Sequence, residues 1–341
     1  MRSGTLGQEL LCTPEAVHAF GLGPPTAYAP MAGGGSASRL TRVETGNGAW
    51  VVKETPVRSS HKLARMADGF RFETALADAG VPLPRPRPLR DGTGGVWVRA
   101  TAAGERVAVT VREYVAGEPA GYLEPLDVCV PTALAVATAL GQAHQITWRP
   151  RVPRDADSWA GPERWAALRD RTMRLSPDVA PILDALAPML EFAESILRIP
   201  RPVRLLAPVH SDANPHNVLR TGTGICLLDW GEGALRDPQT ELASALLVWG
   251  CDQHGLPRDG LPARMVRAYR ATGAAFEPTD LTVFQAHLRA MVDWAFALCR
   301  IAIGDQPRPP QWAIAQLHES VLAWEPRWHR LPQLLEHVQA A

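Results

Sequence analysis

Lysine is almost missing from this chain. Of 35 Lys and Arg residues only Lys53 and Lys62 are lysines, so the generic surface cation is arginine and each lysine stands out. Cysteine is sparse. Cys12, Cys129, Cys226, Cys251 and Cys299 are scattered and odd in number, with no C-x-x-C pair. That argues against a zinc site or a disulfide framework, and free thiols fit a reducing compartment. An excess of one charge is also lacking, since 35 basic residues balance 35 acidic ones and the pI is near 7.2. No basic patch points to nucleic acid and no polybasic tail to a membrane. No apolar run reaches about 18 residues, so no membrane span is expected. Met1-Arg2-Ser3-Gly4-Thr5 lacks the apolar core of a secretion signal, so a cytoplasmic location is expected. With 341 residues, the chain is long enough for two cored lobes.

One stretch concentrates polar chemistry. His210-Ser211-Asp212-Ala213-Asn214-Pro215-His216-Asn217 reads H-x-D-x-x-x-x-N, and Leu227-Leu228-Asp229-Trp230 follows. This is the spacing of a phosphoryl-transfer catalytic loop and its metal-binding aspartate. Val218-Leu219 and Ile225-Cys226-Leu227-Leu228 are apolar runs around Arg220-Thr221-Gly222-Thr223-Gly224, a hairpin signal. Such a hairpin brings Asn217, at its start, and Asp229, at its end, to one open edge. Two carboxylates and a carboxamide there suit Mg²⁺, a hard ion that prefers oxygen ligands. Asp212 is then the group that accepts or orients the proton of an attacking hydroxyl, and Asn217 and Asp229 are the metal ligands. The competing reading is a polar loop capped by Asp and Asn beside a buried hairpin.

His210 to Trp230, with Gly231-Glu232 and Asp237-Pro238-Gln239-Thr240-Glu241-Leu242-Ala243, resembles the aminoglycoside phosphotransferase and choline kinase-like family. In that family the loop usually reads H-G-D, the later aspartate precedes Trp, and D-P-x-x-D follows. Here Ser211 stands for Gly and Glu241 for the second Asp. Ser211 is expected to alter loop flexibility. Glu241 keeps the charge on a longer arm. The resemblance implies an α+β, two-lobed protein-kinase-like fold, with a mostly β nucleotide lobe over 1–115 and a helical catalytic lobe over 116–341. A helical insertion is expected at about 146–204.

Lys53 ends Ala49-Trp50-Val51-Val52-Lys53, just past the turn signal Thr45-Gly46-Asn47-Gly48. A strand lysine of this kind in kinases pairs with nucleotide phosphates and with a helix glutamate. Ser59 or Ser60 caps the next helix and Gly80 ends it, with Leu63, Met66, Phe70 and Ala77 as the apolar face. Glu73, at the edge of that face, is the expected partner of Lys53. Glu54 competes, but its side chain alternates to the other face. Gly33, Gly34, Gly35 and Ser36 precede these strands and could approach phosphates closely, so Gly34, Gly35 and Ser36 are candidate nucleotide contacts. Val107 to Val115 reads as a strand broken by Ala116-Gly117-Glu118-Pro119. The resemblance makes Glu113, Tyr114 and Val115 the hinge that meets the nucleotide base.

From Pro131 the pattern turns helical. His144 reads as structural, and the tryptophans of the second half read as core. Asp252, Glu277, Asp280 and Asp293 are candidate contacts for an amine-bearing acceptor, although solvated helix faces account for each singly. The resulting expectation is an ATP- or GTP-dependent phosphotransferase that moves the γ-phosphoryl group to a hydroxyl of a small molecule with Mg²⁺. The resemblance names an antibiotic such as an aminoglycoside, while the balanced charge argues against a strongly polycationic acceptor. The alternative is a nucleotide-binding pseudoenzyme or scaffold, whose expected loss of Lys53, Asp212, Asn217 or Asp229 is not seen. A protein kinase is less favoured, because Asp229-Trp230-Gly231 replaces D-F-G and no A-P-E segment is clear.

Overall fold

The structure is a computed structural model. It describes residues 14–31, 38–100, 104–122, 124–152, 161–201, 205–230, 234–306 and 308–341. The chain divides into two compact units. One holds Met1–Glu118, Trp148–Pro153 and Leu219–Gly233, and the other holds Pro119–Thr147, Arg154–Val218 and Ala234–Ala341. The first unit thus takes up two later stretches of chain beyond the boundary expected after residue 115, and Asp229 belongs to it.

The first unit is built on five antiparallel strands: β1 (Pro25–Met31), β2 (Arg39–Thr45), β3 (Gly48–Pro56), β4 (Trp97–Ala100) and β5 (Arg106–Glu113). Their order is β1-β2-β3-β5-β4. Thr45 pairs with Gly48, which closes a two-residue turn over Gly46 and Asn47 as the sequence predicts. Val43, Trp50, Val52, Val107, Val109 and Val111 pack with Phe20 and Leu22, beside the short helix α1 (Pro14–Ala19). Period-two alternation sends Lys53 and Thr110, a directly paired couple, to the other face with Arg112.

Helix α2 (Ser60–Asp78) starts where predicted. Ser59 caps it by accepting from the backbone N–H of Lys62, and Gly80 follows it at φ 80°. Its buried face differs from expectation. Asp68, Gly69, Phe72, Glu73 and Leu76 are buried, while Leu63, Met66, Phe70 and Ala77 are only half-buried. The face is turned because Phe72 stacks on Trp148 at 4.7 Å and meets Trp230 edge-on at 5.9 Å. Trp148 comes from a segment the sequence assigned to the helical insertion. Asp68 accepts from the backbone N–H of Arg151 at 2.9 Å, which ties the same segment down.

The second unit is mainly helical. α3 (Leu126–His144) starts five residues before Pro131 and includes it. It is long and apolar enough to cross a membrane by length and composition. Ten of its residues are nevertheless buried within the unit, among them Thr132 and His144, so it reads as a core helix. The predicted insertion consists of α4 (Gly161–Leu175) and α5 (Ala180–Leu197). Then follow β7 (Ala207–Val209), α6 (Pro238–Trp249), α7 (Leu261–Arg270), α8 (Gln285–Ala302), α9 (Pro310–Trp328) and α10 (Leu331–Gln339). β7 pairs antiparallel with β10 (Ala234–Arg236). Between these in sequence, β8 (Val218–Thr221) and β9 (Gly224–Leu227), which from Leu219 onward belong to the first unit, form the predicted hairpin, joined by a two-residue turn rather than a longer loop, with the two-residue β6 (Glu118–Pro119) beside β8. Close packing of α3 on α7 depends on Gly141, where a Cβ would stand 2.4 Å from the Thr272 hydroxyl.

Candidate active site

In the first unit Lys53 Nζ donates to Asp229 Oδ1 at 3.2 Å, joining residues 176 apart in sequence. Both groups are open to water, with side chains 28% and 59% exposed, so the pair adds little stability and is free to meet a ligand. Asp229 lies two residues past β9 with φ 62°, a left-handed backbone that turns its carboxylate out of the strand. The expected Lys53–Glu73 pair is not formed. Glu73 takes a bidentate pair from Arg112 instead, Nε to Oε2 at 2.8 Å and Nη2 to Oε1 at 2.7 Å. The Arg112 Nη1 also donates to Thr110 Oγ1 at 3.1 Å. The reason is geometric: Glu73 is almost wholly buried, and the planar guanidinium satisfies both of its oxygens at once. Burial alone would lower the Arg112 pKa, but Glu73 more than restores it. Glu54, the competing partner, pairs with Arg99 at 2.9 Å, on the other face as expected.

Lys53, Glu73, Arg112 and Asp229 line one cavity of about 190 Å³ in this unit. Gly34, Gly35 and Ser36 lie outside the described residues. At the expected hinge, β5 ends at Glu113 rather than Val115. The N–H groups of Glu113 and Tyr114 are already given to Arg85 O and Ala49 O.

In the second unit the catalytic-loop sequence is held by α6. Glu241 is buried and accepts from the backbone N–H of His210 at 3.0 Å and from that of Ser211. His144 Nε2 lies 2.8 Å from the same carboxylate, and His144 Nδ1 lies 2.7 Å from the Tyr269 hydroxyl. Burial would raise the Glu241 pKa, but the hydrogen bond and charge of His144, the charge of His210 and the Ser211 N–H hold it below the usual carboxylate range. Trp249 Nε1 donates to Ala213 O at 2.7 Å and fixes the loop from the other end of α6. Asp237 caps α6 through the Gln239 N–H and is held by Arg201 at 2.7 Å. The longer Glu241 therefore performs the clamping that the altered motif put in question. Ser211 sits at φ 73°, in the left-handed region, which explains why a glycine suits this position.

Asp212 is presented by that loop. Asn217 Nδ2 donates to Asp212 Oδ2 at 2.8 Å and to Asp212 O at 2.9 Å, and Asn214 Nδ2 donates to Asp212 Oδ1. The Asn217 amide nitrogen is thus committed, and among the described residues its amide oxygen is left for a hard cation. Asp212 lines a cavity of about 370 Å³. Of the four acidic residues expected at an acceptor, only Asp293 lines it. Asp252 accepts from the N–H groups of His254 and Leu256, and Asp280 from that of Thr282, so both serve as local caps. The residues missed by sequence reasoning are Arg112, which displaces Lys53 at Glu73, and Arg327, which lies 115 positions beyond Asp212 and carries no local motif.

Residues 29–278 match the phosphotransferase enzyme family (APH). The chain belongs to this family. No curated protein sequence matches this phosphotransferase. Several solved structures share its fold. A spectinomycin phosphotransferase, solved with ADP and spectinomycin, aligns with TM-score 0.63 at 12% identity over 94% of this chain and 95% of that one. An amicoumacin kinase, solved with AMP-PNP and Ca²⁺, aligns with TM-score 0.57 at 14% identity, covering 90% and 91%. Plasmodium vivax ethanolamine kinase aligns with TM-score 0.54 at 12% identity, covering 87% and 81%. These alignments establish a common fold, and the family match places the chain among the phosphotransferases.

Proposed function

We propose that the protein transfers the γ-phosphoryl group of ATP or GTP to a hydroxyl of a small molecule. The observation that carries this reading is the Asp212 carboxylate, held by Asn217 at 2.8 Å on a loop clamped by Glu241 and opening onto a cavity. Asp212 takes or orients the acceptor proton, and Lys53 steadies the nucleotide phosphates. Each donor by itself suits Mg²⁺: Asn217 keeps its amide oxygen, and Asp229 is exposed. In this reading Asn217 and Asp229 hold the ion, which when bound neutralises phosphate charge. The structural relatives solved with ADP or AMP-PNP and with Ca²⁺ support a nucleotide donor and a divalent cation. We also propose a cytoplasmic location, where such a nucleotide is abundant.

The test incubates the protein with Mg-ATP and Mg-GTP and panels of hydroxylated small molecules, reading product mass. A gain of one phosphate, reduced by about 10²- to 10⁴-fold in Asp212→Asn while nucleotide still binds, is expected of a positioned proton acceptor. Wild-type turnover in Asp212→Asn would falsify the reading. Tight nucleotide binding with neither transfer nor phosphate release would favour a pseudoenzyme.

A further inference from the structure

Three arginines, Arg236, Arg289 and Arg327, line the Asp212 cavity together with Asp293. Arg236, Arg289 and Asp293 are each engaged in interactions of their own. Arg327, on α9, differs. Its Nε is buried and has no hydrogen-bond partner among the described residues. Burial lowers its pKa against the opposing pull of Cys251, Tyr122 and Asp252, and the Asp252 carboxylate already accepts the backbone N–H groups of His254 and Leu256 at 2.8 and 2.9 Å. A half-buried guanidinium whose Nε has lost water and gained no hydrogen-bond partner is costly, and such costs are concentrated where a ligand supplies the missing partner. Tyr122 connects this cation to the reactive carboxylate. Burial and the Asp212 charge push its phenol up, while Arg327 pulls it down, so both charges act on one wall of the cavity. His287, also on that wall, adds no positive charge, because burial and Arg327 hold its pKa down to about 4.

We infer that the acceptor is a hydroxylated small molecule bearing an anionic group, a carboxylate or a phosphate monoester, which docks on Arg327 while its hydroxyl meets Asp212. The inference rests on the phosphotransferase reading above and names the acceptor class for that site. A planar guanidinium presents paired donors that match either anion. An ammonium group docked there would meet like charge instead. In the transfer, the acceptor oxygen bonds to the γ-phosphorus as the bond to the β–γ bridging oxygen breaks. The nucleoside diphosphate leaves with that electron pair, and the acceptor proton passes to Asp212.

The experiment uses the full chain with Mg-ATP and matched acceptors: each hydroxy acid beside its amide, each sugar phosphate beside the free sugar, and a set of amino alcohols and aminoglycosides. The two anionic arms separate the carboxylate source from the phosphate source. Product is expected in one anionic arm and not with its neutral twin. Arg327→Gln should raise the acceptor KM by at least about tenfold with a smaller change in kcat, and Arg327→Lys should recover part of the loss. A thermal melt of each variant checks folding. Product only with neutral or aminated acceptors overturns the inference and leaves the phosphotransferase standing. So does an Arg327→Gln effect confined to the nucleotide KM. Asp212-dependent release of phosphate to water, with no transfer in either anionic arm, has the same meaning. Absence of both transfer and Asp212-dependent release removes the phosphotransferase reading itself.

Discussion

Two carboxylates of the first unit carry different burdens, and exposure decides which. Glu73 is almost fully buried and held by two hydrogen bonds from Arg112. Removing the arginine leaves a buried charge unpaired. Arg112→Met should therefore lower stability by about 2–4 kcal/mol, read as a fall in Tm with denaturant titration for the free energy. The Lys53–Asp229 pair is open to water. Lys53→Met should change stability by less than about 1 kcal/mol while sharply reducing phosphoryl transfer. If the two variants lose equal stability, this division of roles is wrong. Sequence reasoning singled out Lys53, Glu73, Asp229 and Asp212, and it paired Glu73 with Lys53 where the fold pairs it with Arg112. The pairing depends on which side chain the sheet places opposite α2, and β5 supplies Arg112 from a strand that is not adjacent in sequence to β3.

At the scale of the element, α6 and the loop it grips behave as one device. Glu241 binds the loop backbone only as a carboxylate, and its pKa lies below the ordinary value of 4.5 when folded. A depressed carboxylate contributes stability that is complete above the unfolded pKa and lost as pH falls through the folded one. Glu241→Gln should thus be clearly less stable than the wild type near neutrality, and the two should converge in acid. Parallel pH–stability curves would contradict this. Ser211 tests the backbone half of the device. At φ 73° an L-residue is strained, so Ser211→Gly should raise stability by roughly 0.5–1 kcal/mol and keep transfer intact. The H-x-D motif and the D-P-x-x-E segment were both visible in the sequence, because each is local. That His144 steadies Glu241 was not visible, since it arrives from α3, 97 residues upstream.

For the molecule as a whole, the scattered cysteines become reporters. Cys226, in the first unit, and Cys251 and Cys299, in the second, are buried, and burial pushes each thiol up to about 12. Cys129 is also buried and raised. All four should resist thiol reagents in the native state and react only as their units open. Mass mapping of Cys226 against the other three would give each unit its own opening rate. Labelling of any of these four as fast as a free thiol would show that the packing described for that unit does not hold in solution.

The sequence by itself determined the phosphotransferase class, the hairpin around Gly222, a serine cap at Ser59 or Ser60 and the loop bearing Asp212. Each of these is written in residues a few positions apart, where backbone preferences and fixed spacing act without help. Tertiary structure alone decided the buried face of α2, the Glu73–Arg112 pair and the placing of Arg327, with its buried Nε, on the cavity that Asp212 lines. Those outcomes depend on which distant side chains share one desolvated volume, and a buried charge selects its partner by geometry and not by distance along the chain.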